Sequence, residues 1–82
     1  MPTLAVINGF ALRVNIVEDG EGPHVHVVKG GREYRVRILH DDAQLMTMGG
    51  REKTTQTEAR RAVRIVRENL EACWAEWNKW HT

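Results

Sequence analysis

The sequence predicts an α+β fold, in which an antiparallel meander of four or five strands carries one long C-terminal helix packed on one face. Two turn signals, Asn8-Gly9 and Gly30-Gly31, each lie between segments of strand-like alternation. An apolar stripe with helical spacing follows between residues 59 and 80. The chain has 82 residues and contains no linker and no internal repeat, so we expect one domain over residues 1–82.

The first predicted hairpin joins Thr3–Ile7 to Phe10–Ile16 through Asn8-Gly9. Both turn residues tolerate the positive φ that a tight hairpin turn requires. Apolar side chains occupy every second position from Phe10 to Ile16, which is typical of a half-buried strand. An acidic, glycine-rich loop over residues 18–23 then leads into the second hairpin.

The second predicted hairpin joins His24–Lys29 to Arg32–Leu39 through Gly30-Gly31, and this turn fixes the register. His24 then faces Arg37, and His26 faces Arg35. In this register one face of the hairpin is apolar and the other is basic. The apolar face carries Val25, Val27, Tyr34, Val36 and Ile38.

A short fifth strand over Gln44–Met48, ended by the Gly49-Gly50 pair, is expected before the helix. Thr55 and Glu58 have the spacing of a capping box, in which each side chain bonds the other residue's backbone N–H. The apolar stripe of the helix then consists of Ala59, Ala62, Val63, Val66, Leu70, Cys73, Trp77 and Trp80.

Composition narrows the class of protein. A net charge of +1 argues against coating nucleic acid by charge alone, although a local basic patch remains open. The apolar runs are too short to cross a membrane, and the N-terminus lacks the features of a secretion signal. One cysteine cannot form an intrachain disulfide, so we expect a cytoplasmic protein.

The central segment resembles a known family. Pro23-His24-Val25-His26-Val27, followed by Lys29-Gly30-Gly31-Arg32-Glu33, is similar to a motif in small bacterial proteins classed as domain of unknown function 4160. The Met1-Pro2-Thr3 start, Val66-Arg67-Glu68-Asn69 and the tryptophan-rich end also resemble that family, whereas residues 41–56 depart from it. The resemblance implies a cytoplasmic bacterial protein, often encoded beside a second small protein in a toxin–antitoxin-like arrangement. It implies no catalytic residue and no cofactor.

Three functions compete for the basic sheet face, which we expect to be solvent-exposed. His24 and His26 could bind a metal ion, but the positive charge of Arg35 and Arg37 opposes this, so no metal and no cofactor are predicted. The two imidazoles could instead cleave RNA as acid and base, although an open sheet face offers no pocket. The third function is simple binding of phosphates or of an acidic protein surface, with Arg13 contributing as well. A solvated face without function is the alternative to all three.

Two further surfaces are candidates for binding. Arg60 and Arg64 belong to a basic helix surface that is most often only solvated. Trp77 is expected to complete the core, whereas Trp74 and Trp80 cannot both be covered in so small a domain, which suggests a dimer or partner contact. Cys73 is expected to be a core residue rather than a nucleophile.

We therefore predict a small protein-interaction module, one half of a two-gene toxin–antitoxin-like pair, whose partner is a second small protein encoded by an adjacent gene. A homodimer and nucleic acid also remain open as partners, and no membrane contact is expected. The alternative is an RNA-binding or RNA-cleaving toxin that uses His24 and His26 with Arg35 and Arg37. We therefore predict that the chain is not an enzyme. If it is an enzyme after all, we expect a small ribonuclease.

Overall fold

Five strands and two helices form an α+β structure, here a computed structural model that describes residues 2–17 and 20–81. The strands follow one another in the sheet in chain order, and every neighbouring pair is antiparallel. The predicted meander is confirmed, with five strands rather than four. The elements are β1 (Thr3–Ile7), β2 (Phe10–Arg13), β3 (His24–Lys29), β4 (Arg32–Ile38), β5 (Ala43–Gly50), α1 (Gln56–Glu68) and α2 (Leu70–His81).

Both hairpins form at the predicted turns, but β2 ends at Arg13 and not at the predicted Ile16, which is 46% exposed. Asn8 and Gly9 adopt φ values of 51° and 81°, the positive values that a tight turn between twisted strands requires. The Gly30-Gly31 turn places His24 opposite Arg37 and His26 opposite Arg35, which confirms the predicted register.

Strand β5 is longer than the predicted Gln44–Met48. It continues through Gly49 and Gly50, which pair with Glu33 and Arg32, so the prediction that the glycines end the strand is wrong. Gly50 has a φ of 134°, and a Cβ there would collide with the carbonyl of Gly31, so the close approach of the two backbones requires glycine. Met46 is an extra residue in a bulge of β5, because Arg35 pairs with Thr47 and Val36 with Leu45.

The core lies between the helices and one face of the sheet. The predicted apolar face of the second hairpin is entirely buried, and side chains from β2 and both helices complete it. The buried apolar residues are Phe10, Leu12, Val14, Val25, Val27, Tyr34, Val36, Ile38, Ala43, Ala59, Ala62, Ile65, Val66, Cys73 and Trp77.

The C-terminal region forms two helices, so the prediction of one long helix is wrong. Asn69 separates them: its φ of −121° is not helical, and its side-chain amide donates to the Ile65 carbonyl at 2.8 Å. An asparagine side chain competes for helix carbonyls in this way and favours a helix end. The apolar stripe gave no sign of the break because it continues from α1 into α2.

After the break, α2 crosses one end of the sheet. The indole Nε1 of Trp74 donates to the carbonyl of Leu39, just beyond β4, at 2.7 Å. Nε2 of His81 donates to the carbonyl of Asn15, just beyond β2, at 2.5 Å. Trp77 lies between these two anchors, at the end of the sheet where β3 begins. Neither helix is long and apolar enough to span a membrane within the described residues.

Helix α1 begins at the predicted cap, but only half of the capping box forms. Thr55 Oγ1 accepts a hydrogen bond from the backbone N–H of Glu58 at 3.1 Å. The Glu58 carboxylate does not return the bond; it accepts hydrogen bonds from Arg32 Nε and from the Tyr34 hydroxyl, each at 2.5 Å. The side chain that was expected to close the cap instead ties α1 to β4.

Candidate functional site

The sheet face opposite the core carries the basic residues that the sequence singled out. Pairing across the strands aligns Arg13, His26, Arg35 and Thr47 in one row and His24, Arg37 and Gln44 in the next. Side chains in such cross-strand rows lie on the same face of a sheet. The prediction that the two histidines share a face with the arginines is therefore confirmed.

The expectation that the imidazoles are exposed is wrong for His24. Its side chain is fully buried, its ring centroid lies 5.9 Å from that of Trp77, and its Nδ1 donates to the carbonyl of Gly22 at 2.8 Å. The cause is the path of α2, which brings Trp77 against the start of β3. Strand alternation cannot show a helix that covers a sheet from its end.

His26 is buried as well, with 7% of its surface exposed. Its ring centroid lies 5.0 Å from that of His24, and its Nδ1 donates to a carboxylate oxygen of Glu33 at 3.1 Å. Its Nε2 is buried and has no hydrogen-bond partner among the described residues. Neither imidazole is presented to solvent, so the exposed acid–base pair required by the ribonuclease hypothesis does not form.

Two of the three arginines of β4 border an open cavity of about 670 Å³, which we call the arginine groove. Arg35 and Arg37 line it from β4, and edge strand β5 provides the opposite side. Its full lining is Gly20, Glu21, Arg35, Arg37, Gln44, Leu45, Met46 and Thr47. The groove therefore combines two guanidinium groups with polar side chains at the margin of the sheet.

The arginine groove already holds one carboxylate. Glu21, in the loop before β3, forms an ion pair with Arg35. Arg37 is exposed and has no ion-pair partner within residues 2–17 and 20–81. A guanidinium group binds a planar carboxylate or phosphate through two parallel hydrogen bonds. The groove can thus accept an anionic group at Arg37 beside the carboxylate that Arg35 already binds.

The other predicted site residues lie elsewhere. Arg13 is exposed on the same face, at the neighbouring strand, whereas Arg60 and Arg64 lie on α1 and border two separate grooves. Trp74 is half-buried, and Trp80 is 40% exposed, which confirms that the two tryptophans are not both covered. The predicted binding residues therefore occupy several surfaces rather than one site.

Cys73 is a core residue, as predicted. It is fully buried, and burial raises the pKa of its thiol to about 11, so it is protonated at neutral pH and is a poor nucleophile. In the part of the chain that the structure describes, no three metal-ligating side chains of His, Cys, Asp or Glu cluster together.

Six groove residues escaped the sequence reasoning. None of them belongs to a recognisable motif; they are Gly20, Glu21, Gln44, Leu45, Met46 and Thr47. The signal that could have found Gln44 is pairing between β4 and β5, which places it opposite Arg37. The bulge at Met46 hides the corresponding pairing of Thr47 with Arg35, because it shifts the alternation by one residue.

The model of one protein family, described as Domain of unknown function (DUF4160), matches residues 9–78. The chain belongs to the DUF4160 family. The match begins after β1 and covers β2, the second hairpin with the buried histidines, every described residue that lines the arginine groove, all of α1 and most of α2. No curated protein and no solved structure matches the chain. DUF4160 membership thus identifies the family without assigning an activity to the groove.

Proposed function

We propose that this DUF4160 protein is a protein-interaction module, and that its arginine groove binds an acidic surface of a second protein. One observation carries the proposal. An open groove lined by Arg35 and Arg37 lies at the margin of the sheet, where a partner can reach it, and Arg35 there already pairs with the Glu21 carboxylate. A site that holds one carboxylate from its own chain has the chemistry to hold carboxylates from another.

The groove has the composition of a contact surface rather than of a reaction centre. Gln44 and Thr47 are exposed and add hydrogen-bonding groups beside the guanidinium groups. Arginine is enriched at protein interfaces because its planar group forms several hydrogen bonds and also packs on apolar surface. Of the described side chains that line the groove, Glu21 and Thr47 belong to residue types that act as a general base or a nucleophile, and Glu21 is held in an ion pair with Arg35.

We also propose that the partner is the product of an adjacent gene, in a toxin–antitoxin-like pair that acts in the cytoplasm. This part of the proposal is supported by the resemblance of the sequence to small bacterial proteins encoded in such pairs. A net charge of +1 is compatible with it, because one local groove and not the whole surface would attract an acidic partner.

Binding or cleavage of RNA is the competing function, and the structure supports it less well. Phosphate groups could occupy the arginine groove, but bases are normally held by exposed aromatic rings, and no aromatic side chain lines it among the described residues. Cleavage by His24 and His26 would also require both buried imidazoles to become accessible.

The test is binding of the adjacent gene's product by the wild-type chain and by Arg37→Glu, measured by isothermal titration calorimetry. Arg37 is exposed, so the substitution leaves the core intact and reverses one charge of the groove. Loss of a charge-assisted hydrogen bond and the new repulsion are expected to weaken binding about tenfold or more. Arg61→Glu is the matched control, because Arg61 is exposed on α1 and lies outside the arginine groove.

Two results would overturn the proposal. One is a complex whose affinity falls equally with both substitutions, since a general charge effect would then explain it. The other is growth arrest on expression of the chain alone that disappears in a His24→Ala, His26→Ala variant which still folds. That result would favour the RNA-cleaving toxin, and incubation of the purified chain with single-stranded RNA would then show cleavage.

A further inference from the structure

Strand β5 is the edge of the sheet at the arginine groove. Within the described residues no strand lies beyond it, so its outer side is open to a further strand after Ala43, whose N–H bonds Asp42 Oδ1 and whose carbonyl accepts from Arg67. Edge strands are usually protected by charged residues or proline, and Ala43–Gly50 contains neither. Two features protect it in part: the bulge at Met46 interrupts the edge, and Arg67 of α1 donates to the carbonyl of Ala43 at its start.

Two grooves, one on each face of the sheet, meet at this edge. The arginine groove lies on the face away from the helices. A second groove of about 260 Å³ lies between β5 and α1 and is lined by Leu45, Gln56, Ala59, Arg60, Val63 and Arg67. Leu45 lines both grooves and is 37% exposed. An extended segment beside β5 would therefore reach a polar basic groove with one set of side chains and a more apolar groove with the other.

We infer that β5 accepts an extended segment of the partner as a sixth strand, and that this segment alternates acidic with apolar residues. The inference rests on the proposed function, because it names the binding mode and the partner segment of the same groove. Backbone hydrogen bonds to a sheet edge provide affinity in such complexes, and the alternating side chains provide specificity. The acidic side chains would face Arg37, beside the ion pair of Arg35 with Glu21, and the apolar ones would pack on Leu45 and Val63.

The distances between strands permit this pairing. An added strand would lie two strand spacings from β4, or about 10 Å between backbones. On this face β5 places the neutral side chains Gln44 and Thr47 opposite Arg37 and Arg35, and Leu45 and Met46 also line the groove. An arginine and a glutamate that extend toward each other span such a gap. An acidic residue on the added strand can thus contact Arg37 without any change in the sheet.

Charge favours a different protein over a second copy of this chain. If two copies paired through β5, each groove would receive the neutral side chains of another Ala43–Gly50 segment. Arg37 would then gain no carboxylate partner from that strand. An acidic segment neutralises it, so the groove selects such a segment over self-pairing.

The experiment uses the full chain and a fluorescent peptide of about nine residues that alternates glutamate with valine. Fluorescence anisotropy compares it with a lysine–valine peptide and with two N-methylated forms, one methylated at odd and one at even positions. Each methylated series removes the amide donors along one edge of the peptide. A peptide that adds as a strand is expected to lose about tenfold or more affinity in one series and little in the other.

Three further results are expected if the inference is correct. The lysine peptide binds at least about tenfold more weakly than the glutamate peptide. Arg37→Glu weakens the glutamate peptide, whereas Arg61→Glu does not. Amide hydrogen exchange in Ala43–Gly50 slows when the glutamate peptide is bound, because its edge amides become hydrogen-bonded.

The outcomes separate this inference from the proposed function. If the glutamate peptide binds but neither N-methylated series matters, the groove binds acidic chains by charge alone, and only strand addition is refuted. If no peptide binds while the adjacent gene's product still binds in an Arg37-dependent way, strand addition is again refuted and the proposed function stands. A stable dimer whose β5 amides are already protected would show that a second copy occupies the edge, which also overturns the inference.

Discussion

At the scale of single residues, Glu58 forms the most connected polar contact between helix and sheet. Its carboxylate accepts hydrogen bonds from the Tyr34 hydroxyl and from Arg32 Nε, each at 2.5 Å. These bonds hold the pKa of Glu58 below its ordinary value, although burial acts in the opposite direction. The bond from Tyr34 has the largest effect, and the bond from Arg32 adds to it. The pKa of Tyr34 is raised, mainly by burial and secondly by the hydrogen bond to Glu58.

This contact predicts a pH-dependent loss of stability in Glu58→Gln. The pKa of Glu58 is lower in the folded chain than in the unfolded chain. Its contribution to the free energy of unfolding is therefore complete at a pH above the unfolded-state pKa, and it disappears as the pH falls through the folded-state pKa. Urea unfolding should show a deficit of about 1–2 kcal/mol near neutral pH that narrows at about pH 3. Glu52→Gln is the control, because Glu52 is mostly exposed and its ion pair with Arg32 contributes little. An equal deficit at both pH values would contradict the assignment.

The histidines show where prediction at the residue scale ends. Alternation placed His24 and His26 on the correct face, because a two-residue turn fixes which side chains share a side. It could not predict their burial, which depends on Trp77 and on the carboxylate of Glu33. The first of these contacts comes from a helix about fifty residues further along the chain, and no local pattern encodes it.

At the scale of elements, the strands were predictable and the helix break was not. The register of the second hairpin follows from its turn residues, whereas the first hairpin has a register shift between Thr3 and Ala5 that its turn does not predict. Strand β5 was expected from its position although not in its full length. Asn69 ends α1 because its amide bonds the Ile65 carbonyl, yet an asparagine within an amphipathic stripe is also tolerated inside a helix. Whether Asn69 ends the helix or continues it depends on where α2 packs, and tertiary contacts determine that position.

The start of α1 gives a prediction at the same scale. Thr55→Ala removes the side-chain oxygen that bonds the Glu58 N–H, and we expect it to lower the free energy of unfolding by about 1 kcal/mol. Thr55→Ser keeps the oxygen and should behave like the wild type in the same urea titration. If serine proved as destabilising as alanine, the methyl group of Thr55 and not its hydroxyl would be responsible.

At the scale of the whole molecule, Trp77 closes the end of the sheet. It is 6% exposed, stacks on His81 with ring centroids 3.7 Å apart and covers His24. A chain of 82 residues has only about 4–12 kcal/mol of stability in total. One large aromatic side chain at this position therefore provides a substantial part of it.

Trp77→Ala should accordingly lower the free energy of unfolding by about 3–5 kcal/mol, enough to leave part of the population unfolded at 37 °C if the wild type lies near the lower limit. Trp80→Ala is the matched control, since Trp80 is 40% exposed, and its cost should stay below about 1 kcal/mol. Both values can be obtained from equilibrium urea unfolding followed by circular dichroism. Similar losses in the two variants would show that Trp77 does not close the sheet.

The candidate site was likewise only half predictable. Arg35 and Arg37 followed from the hairpin register, but the groove they border depends on β5 and on the loop that contains Glu21. Arg60 and Arg64 were grouped with them as binding residues on grounds of charge alone, and they lie on α1 beside other grooves. Composition predicts that a surface is basic, whereas topology determines which basic residues share a concave surface.

The order of the strands also bears on how quickly the chain folds. Each strand pairs with its neighbour in sequence, so the sheet can form through contacts between residues that are close in the chain. Domains rich in such local contacts fold fast. The helices depend on contacts between residues that are much further apart in the sequence. Trp74 contacts Leu39 across 35 positions, and His81 contacts Asn15 across 66 positions. During synthesis on the ribosome all five strands would emerge before either helix, leaving the valine-rich side of the nascent sheet open to chaperones until α1 and then α2 pack against it.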